Sequence, residues 1–286
     1  MEDPASFVSR IEASATRSVT PAGGGSMVWR SWGEGPPLVL LHGASGSWTH
    51  WIRTILPLAA RFRVLVPDMP GFGDSDACPE PHTADGLADA LTSSLDVMLP
   101  APTRFDLAGF SFGGIIGGLV AARLGRRVST LVLLGTGGLG LPPGSPRRLA
   151  RIEPTMTPEE IRRVHRANLL TLMLARPESA DDLAVSLQID NLARTRFKSG
   201  TIPQSDVLRR ALPLIRARIA GIWGEHDAFT DGRVDECRRV LASAQEDLDL
   251  RVIEGAGHWL TYEAAHEVHT ALVEVLARHS SEPGHD

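Results

Sequence analysis

Cysteine is nearly missing from this chain: Cys78 and Cys237 are the two present in 286 residues. They lie far apart and without metal-ligand spacing, which favours reduced thiols and a cytoplasmic setting. An excess of one charge is missing too. Lys and Arg number 29 against 34 Asp and Glu, a net charge of −5 spread along the chain. Neither a basic patch for nucleic acid nor a charged tail is present. No uninterrupted apolar run is long enough to cross a membrane. The opening "MEDPASFVSRIEAS" lacks the basic patch and apolar core of a signal peptide. There is no internal repeat, zinc pattern or phosphate loop, and no G-x-G-x-x-G after the first strand, so no cofactor and no metal are expected. These absences point to a soluble intracellular protein that meets a small-molecule substrate, with no nucleic acid and no membrane as partners. A homodimer stays open.

What is present is an ordinary globular composition, 43% hydrophobic and 22% charged, in a length that suits one α/β unit carrying an insertion. Short apolar runs recur: "LVLLHG" from Leu38, "FRVLVPD" from Phe62, "RFDLAG" from Arg104, "STLVLLG" from Ser129, "RIAGIWG" from Arg218 and "LDLRVIEG" from Leu248. With so little polar alternation they suit strands of a parallel sheet buried on both faces. Helical patterns fill most of the gaps. Leu87, Leu91 and Leu95 recur after a capping Thr83, and Val268, Leu272, Val275 and Leu276 share a side of a final segment from about Thr261 to Arg278. The opening "GSMVWRSWGEG" reads as an antiparallel hairpin at the sheet edge. The gap of about 80 residues between Gly135 and Arg218 is too long for a structureless loop. It holds two helix starts, "TPEE" at Thr157 and Ser179 with Asp182. A helical cap over the carboxyl ends of the strands is the expectation, because open sheets bind ligands there.

"LAGFSFGGIIGG", from Leu107 to Gly118, holds five glycines where a helix should begin, each costing roughly 1 kcal/mol relative to alanine. The cause is G-x-S-x-G at Gly109–Gly113, between a strand and a helix. A nucleophile there sits on a sharp turn that needs small neighbours. Gly114, Gly117 and Gly118 would let the helix lie close to the sheet. The Ser111 hydroxyl is a poor nucleophile without a base. Of ten histidines, His258 follows the last strand at the same edge; His50, His82, His165, His266, His269, His279 and His285 read as helix or loop surface. Asp227 in "WGEHDAF" is the carboxylate expected to orient His258, with Glu225 as competitor, and the order Ser111, Asp227, His258 suits this arrangement. Asp68 reads as a turn anchor, supported by Gly71 and Gly73, and His42 as a brace for the following loop. The backbone N–H groups of Ala44 and Phe112 are the candidate oxyanion hole.

"LLHGASGSW", "VPDMPGFGDSD", "GFSFGG", "WGEHD" and "GAGHW" together resemble the α/β-hydrolase family across nearly the whole chain. The resemblance implies an α/β-hydrolase fold: a mostly parallel eight-stranded sheet with helices on both faces and a helical cap insertion. It divides the chain into core residues 1–136, a cap over 137–212 and core residues 213–286. A serine at 111 argues against the branches that use aspartate there. Trp259 directly after His258 resembles the carbon–carbon bond hydrolases that cleave aromatic ring-fission products. Those enzymes commonly place asparagine before the nucleophile, where this chain has Phe110. The first expectation is therefore a serine hydrolase of the carboxylesterase type, acting on a small to medium, largely apolar ester. Carbon–carbon bond hydrolysis, a cofactor-free lyase or perhydrolase, and a receptor-like protein without catalysis are the alternatives.

Four residues are expected to meet the substrate. Phe110 and Trp259 could form aromatic walls, or simply pack in the core. On a helix starting after Ser179, Leu183, Leu187, Asn191 and Arg194 share a face. If the leucines face the sheet, Asn191 and Arg194 point to the pocket, where Arg194 would grip a substrate carboxylate or keto oxygen. The alternative is a surface pair of Asp190 with Arg194. "NLLTLMLA" from Asn168 is apolar nearly all round, so much of it should face protein or ligand.

Overall fold

The computed structural model describes residues 2–77, 80–142, 144–145 and 147–277. Cys78 and the end of the last helical segment at Arg278 lie outside the described residues. Eight strands form one sheet: β1 Thr16–Ala22, β2 Gly25–Trp32, β3 Pro37–Leu41, β4 Arg63–Pro67, β5 Phe105–Phe110, β6 Val128–Leu134, β7 Arg218–Gly224 and β8 Asp249–Ile253. Their order is β1-β2-β4-β3-β5-β6-β7-β8. β1 and β2 make the edge hairpin, closed by Gly23 and Gly24 at positive φ. β2 is antiparallel to β4, and all later pairs are parallel.

The apolar runs lack alternation because both faces of the sheet are covered. Val39, Leu41, Leu107, Leu131 and Leu133 point into one core, and Leu38, Leu40, Ala108, Val132 and Leu134 into the other. Full burial of each such leucine or valine contributes about 1.5–3 kcal/mol. The helices are α1 Pro4–Ala13, α2 Ile55–Ala59, α3 Ala84–Met98, α4 Phe112–Leu124, α5 Pro158–Leu172, α6 Asp182–Ala193, α7 Val207–Ala211, α8 Val234–Ala242, α9 Leu260–Glu263 and α10 Ala265–Ala277. α3, α4, α7 and α8 cover the first core, while α1, α2 and α10 cover the second. α4 is buried from Phe112 through Ala121, which places the helix after Ser111 at the centre of the molecule.

Local chemistry sets several boundaries. Thr83 caps α3 by accepting the Gly86 N–H at 3.0 Å. Thr157 and Glu160 form the expected reciprocal cap of α5. The next helix does not start at Ser179, which ends a short 3₁₀ turn. Its cap is Asp181, whose carboxylate accepts the Ala184 N–H at 2.8 Å. The final helical segment is broken at Ala264, where ψ of 42° leaves the helical region between α9 and α10. Much of the stretch from Asn168 does face protein or the cavity: Leu169 and Leu174 are buried and Met173 lines the cavity, while Leu170 is exposed. Helix α5 therefore lies on the surface with one apolar face.

Candidate active site

The strand-to-helix turn after β5 holds Ser111 at φ +53°, ψ −116°. For a residue with a side chain this backbone costs roughly 1–3 kcal/mol, and the surrounding glycines make it feasible. A Cβ on Gly109 would lie 2.5 Å from the Gly113 carbonyl oxygen, and one on Gly113 2.5 Å from the carbonyl oxygens of Leu41 and His42. Gly114 presses on Thr136 and Gly118 on Leu208 of α7, whereas a methyl at Gly117 would find ordinary 3.4 Å contacts. Four of the five glycines thus answer to close approach, and Gly117 does not.

The turn aims Ser111 at His258. Ser111 Oγ and His258 Nε2 are 2.9 Å apart, and His258 Nδ1 is 2.8 Å from Asp227 Oδ2. A carboxylate only accepts, so Nδ1–H donates to Asp227 and Nε2 is left to accept the serine proton. Asp227 and His258 are almost wholly buried. The other Asp227 oxygen accepts the Phe229 N–H at 2.8 Å, which fixes the carboxylate plane. Gly135, at φ +54°, closes beneath the pair: a Cβ there would sit 3.1 Å from Asp227 Oδ2 and 3.3 Å from the His258 ring. Glu225 is elsewhere, half-exposed, accepting the Gly255 N–H at 2.9 Å.

The backbone N–H groups of Ala44 and Phe112 have no hydrogen-bond partner among the described residues, and Ala44 lines the same cavity as Ser111. Phe112 opens α4, and the first N–H groups of a helix have no partner within it. The loop carrying Ala44 is braced as expected. His42 Nδ1–H donates to the Gly43 carbonyl at 2.8 Å, because its Nε2 accepts the Met69 N–H at 3.0 Å. Asp68 accepts from Trp48 N–H, Asp74 N–H and Arg30, so it anchors two loops and lies outside the site. Gly73 is needed there, since its Cβ would fall 2.4 Å from the Asp68 carboxyl.

Several expected positions are corrected. Arg194 caps the end of α6, remains 56% exposed and pairs with Asp74 at 2.7 Å. It neither enters the cavity nor pairs with Asp190. Asn191 is buried, but its side chain is hydrogen-bonded to Ser47 and Thr49 and ties α6 to the loop after β3. Trp259 is fully buried against Tyr262 and His50, with its Nε1–H donated to the His50 carbonyl. It packs the core and does not line the cavity. Phe110 does line it, beside Ser111.

His50 and His165 are buried, not on the surface as the pattern suggested. The flanking Trp48 and Trp51 were the available signal for His50. Its Nδ1 accepts the Gly43 N–H at 3.1 Å, so Nε2 carries the proton. Gly46 makes room: a Cβ there would lie 2.2 Å from the imidazole. Burial pushes the His50 pKa well below 6.5, reinforced by His42 and His258; burial also lowers His42, against the opposing pull of Asp68. Both rings therefore bind a proton less readily in the folded protein, His50 above all, while the unfolded chain takes up protons near 6.5. Stability is fully present above that pH and lost as pH falls. Unfolding free energy should drop below pH 6.5, with the slope from His50, the ring lowered further, approaching about 1.4 kcal/mol per pH unit. Denaturant titrations from pH 7.5 to 5 measure this. His50→Gln should flatten the slope, and an unchanged slope would remove His50 from the account.

A cavity of about 290 Å³ opens onto this constellation. Gly43, Ala44, His50, Phe110, Ser111 and His258 form its floor, and Met173, Ser199, Gly200, Pro203 and Gln204 come from the segment between β6 and β7. Residues 38–271 match the alpha/beta hydrolase family. This chain belongs to the alpha/beta hydrolase family. Within it, this hydrolase is 28% identical over 263 residues to 2-hydroxy-6-oxo-6-phenylhexa-2,4-dienoate hydrolase of Burkholderia cepacia, covering 86% of this chain and 89% of that one. It is 37% identical over 105 residues to pimeloyl-acyl-carrier protein methyl ester esterase of Vibrio campbellii, covering 36% of this chain and 38% of that relative's length. Among solved structures, a meta-cleavage product hydrolase from Pseudomonas fluorescens IP01 superposes with a TM-score of 0.73 at 22% identity, over 91% of this chain and 97% of that one. A thermophilic esterase from Thermogutta terrifontis gives 0.69 at 23%, over 93% and 99%. These superpositions report the shared fold. These relatives and structures are esterases and hydrolases, one of them a meta-cleavage product hydrolase, and the chain is an enzyme of this family. Among the described residues, no helix is long and apolar enough to cross a membrane.

Proposed function

We propose that this hydrolase cleaves small to medium, largely apolar esters by acyl transfer through Ser111. The supporting observation is the hydrogen-bonded chain Ser111–His258–Asp227, with both distances under 3 Å. His258 takes the Ser111 proton as Oγ bonds to the ester carbonyl carbon, and the carbonyl π electrons move onto oxygen. That oxyanion is held by the N–H groups of Ala44 and Phe112, and Asp227 stabilises the imidazolium. The carbonyl re-forms, the ester C–O bond breaks, and the alcohol leaves with the proton from His258. Water then attacks the acyl-serine with His258 as base, releasing the acid and restoring the hydroxyl.

Residues 137–212 serve as the helical cap, a reading supported by the lining residues they contribute between Met173 and Gln204. A cytoplasmic setting agrees with the scarcity of cysteine. Carbon–carbon bond hydrolysis is the second reading, favoured by the relative aligned along most of the chain. Phe110 before the nucleophile and the diversion of Arg194 to Asp74 speak for the ester. One screen separates them. A 4-nitrophenyl ester series run beside a vinylogous 1,5-diketone acid should show turnover of the esters, preferring acyl chains of intermediate length. Turnover of the diketone alone would establish the second reading. Failure of a fluorophosphonate probe to label the wild-type protein would defeat both and leave a non-catalytic binder.

A further inference from the structure

The segment after β7 brings a second kind of group to the cavity. Phe229 packs against His258 with ring centroids 4.4 Å apart and the planes tilted by 54°, and Thr230, Arg233 and Cys237 also line the cavity. Arg233 is the only lysine or arginine among the described lining residues, and none of those residues is an aspartate or glutamate. The other ionisable lining residues are His50, Cys237 and His258. Burial keeps His50 neutral and pushes the Cys237 thiol up to about 12, so it stays protonated.

Among the described residues the arginine is held but not neutralised. Its Nε–H donates to the Thr230 carbonyl at 3.2 Å and one Nη2–H to the Pro142 carbonyl at 2.8 Å. Nη1 makes no hydrogen bond to the described residues, and Arg233 forms no ion pair with them. Asp231 is the nearby acid that feels its charge. The Asp231 carboxylate is engaged by the Ser145 N–H and hydroxyl and by Arg147, and it is absent from the lining. A half-buried guanidinium fixed by two carbonyls, with donors left over, is preorganised for an anion. The surrounding apolar walls make such a charged hydrogen bond stronger than it would be in water.

We propose that Arg233 is the specificity-determining residue of this site and that the preferred substrates are esters bearing a free carboxylate, which Arg233 binds. The proposal rests on the ester-hydrolase reading and sharpens it. It also moves the expected carboxylate grip from Arg194 on the cap to Arg233 on the core.

The test pairs acidic and neutral esters of matched length. Mono-(4-nitrophenyl) adipate carries the carboxylate on the acyl half, 4-carboxyphenyl hexanoate carries it on the leaving group, and 4-nitrophenyl hexanoate has none. Wild type should favour at least one acidic ester. In Arg233→Gln that ester should lose 10-fold or more in kcat/KM, mostly through KM, while the neutral ester changes less than two-fold. Arg233→Lys should recover part of the loss. Monomethyl adipate should also slow fluorophosphonate labelling of wild type and not of Arg233→Gln. Equal losses on acidic and neutral esters, or no loss on either acidic ester, would overturn the assignment to Arg233 while leaving hydrolysis by Ser111 intact. Loss of the ester-hydrolase reading would instead appear as no turnover of any of the three esters by wild type.

Discussion

Ser111→Ala should lower kcat on the best ester by about 10⁶-fold, the cost of removing the nucleophile from a comparable serine enzyme. The fold should survive. Among the described residues Ser111 makes one side-chain hydrogen bond, to His258, and its backbone N–H, donated to the Leu134 carbonyl, remains. Alanine keeps the same unfavourable positive φ, so no new strain is added. The check is paired: single-turnover kinetics for the rate, and thermal unfolding for integrity, with Tm within a few degrees of wild type. Residual turnover within 100-fold of wild type in a folded variant would mean that another group attacks the ester.

Asp227→Asn should cost about 10⁴-fold in kcat. The amide Nδ2–H₂ would face the His258 nitrogen that now donates at 2.8 Å. The ring would relieve that clash by taking the other tautomer, with its proton on Nε2. It could then no longer accept the serine proton. Loss of the negative charge would also remove stabilisation of the imidazolium. Glu225→Gln is the internal control. Its carboxylate accepts a backbone N–H from Gly255 on the exposed side of the strand ends, and kcat should stay within two-fold of wild type. Full activity in Asp227→Asn with loss in Glu225→Gln would transfer the role to Glu225.

Asp227 and Glu225 show how far chain order carries an inference. Both acids follow β7 within a few residues, and "WGEHD" alone does not choose between them. The choice follows from the backbone after the strand, which turns Asp227 inward, where Gly135 leaves it room, and leaves Glu225 half-exposed. Arg194 is the opposite lesson. Helical periodicity put it on the face of Leu187 and Asn191, but α6 ends at Ala193 and Arg194 is its C-cap. Freed from helical geometry, the side chain reaches Asp74, 120 positions away in sequence. No local pattern carries that pairing. Arg233 was invisible for the same reason, since its surroundings are assembled from Pro142, Thr230 and the walls of a cavity built by distant segments.

By itself the sequence determined the strand and helix alternation, the strained serine turn, the chain order of serine, acid and histidine, and the presence of a helical excursion between β6 and β7. All of these rest on local rules: hydrophobic period, capping chemistry, and the steric need for glycine beside a sharp turn. The tertiary structure alone decided which histidines are buried, that Asn191 braces a loop, that Trp259 packs in the core, and which arginine faces the cavity. Those outcomes depend on how side chains far apart in sequence share space, exclude water and pair their charges. A side chain's partners are set by distance in the fold, and that distance is not encoded in its neighbours along the chain.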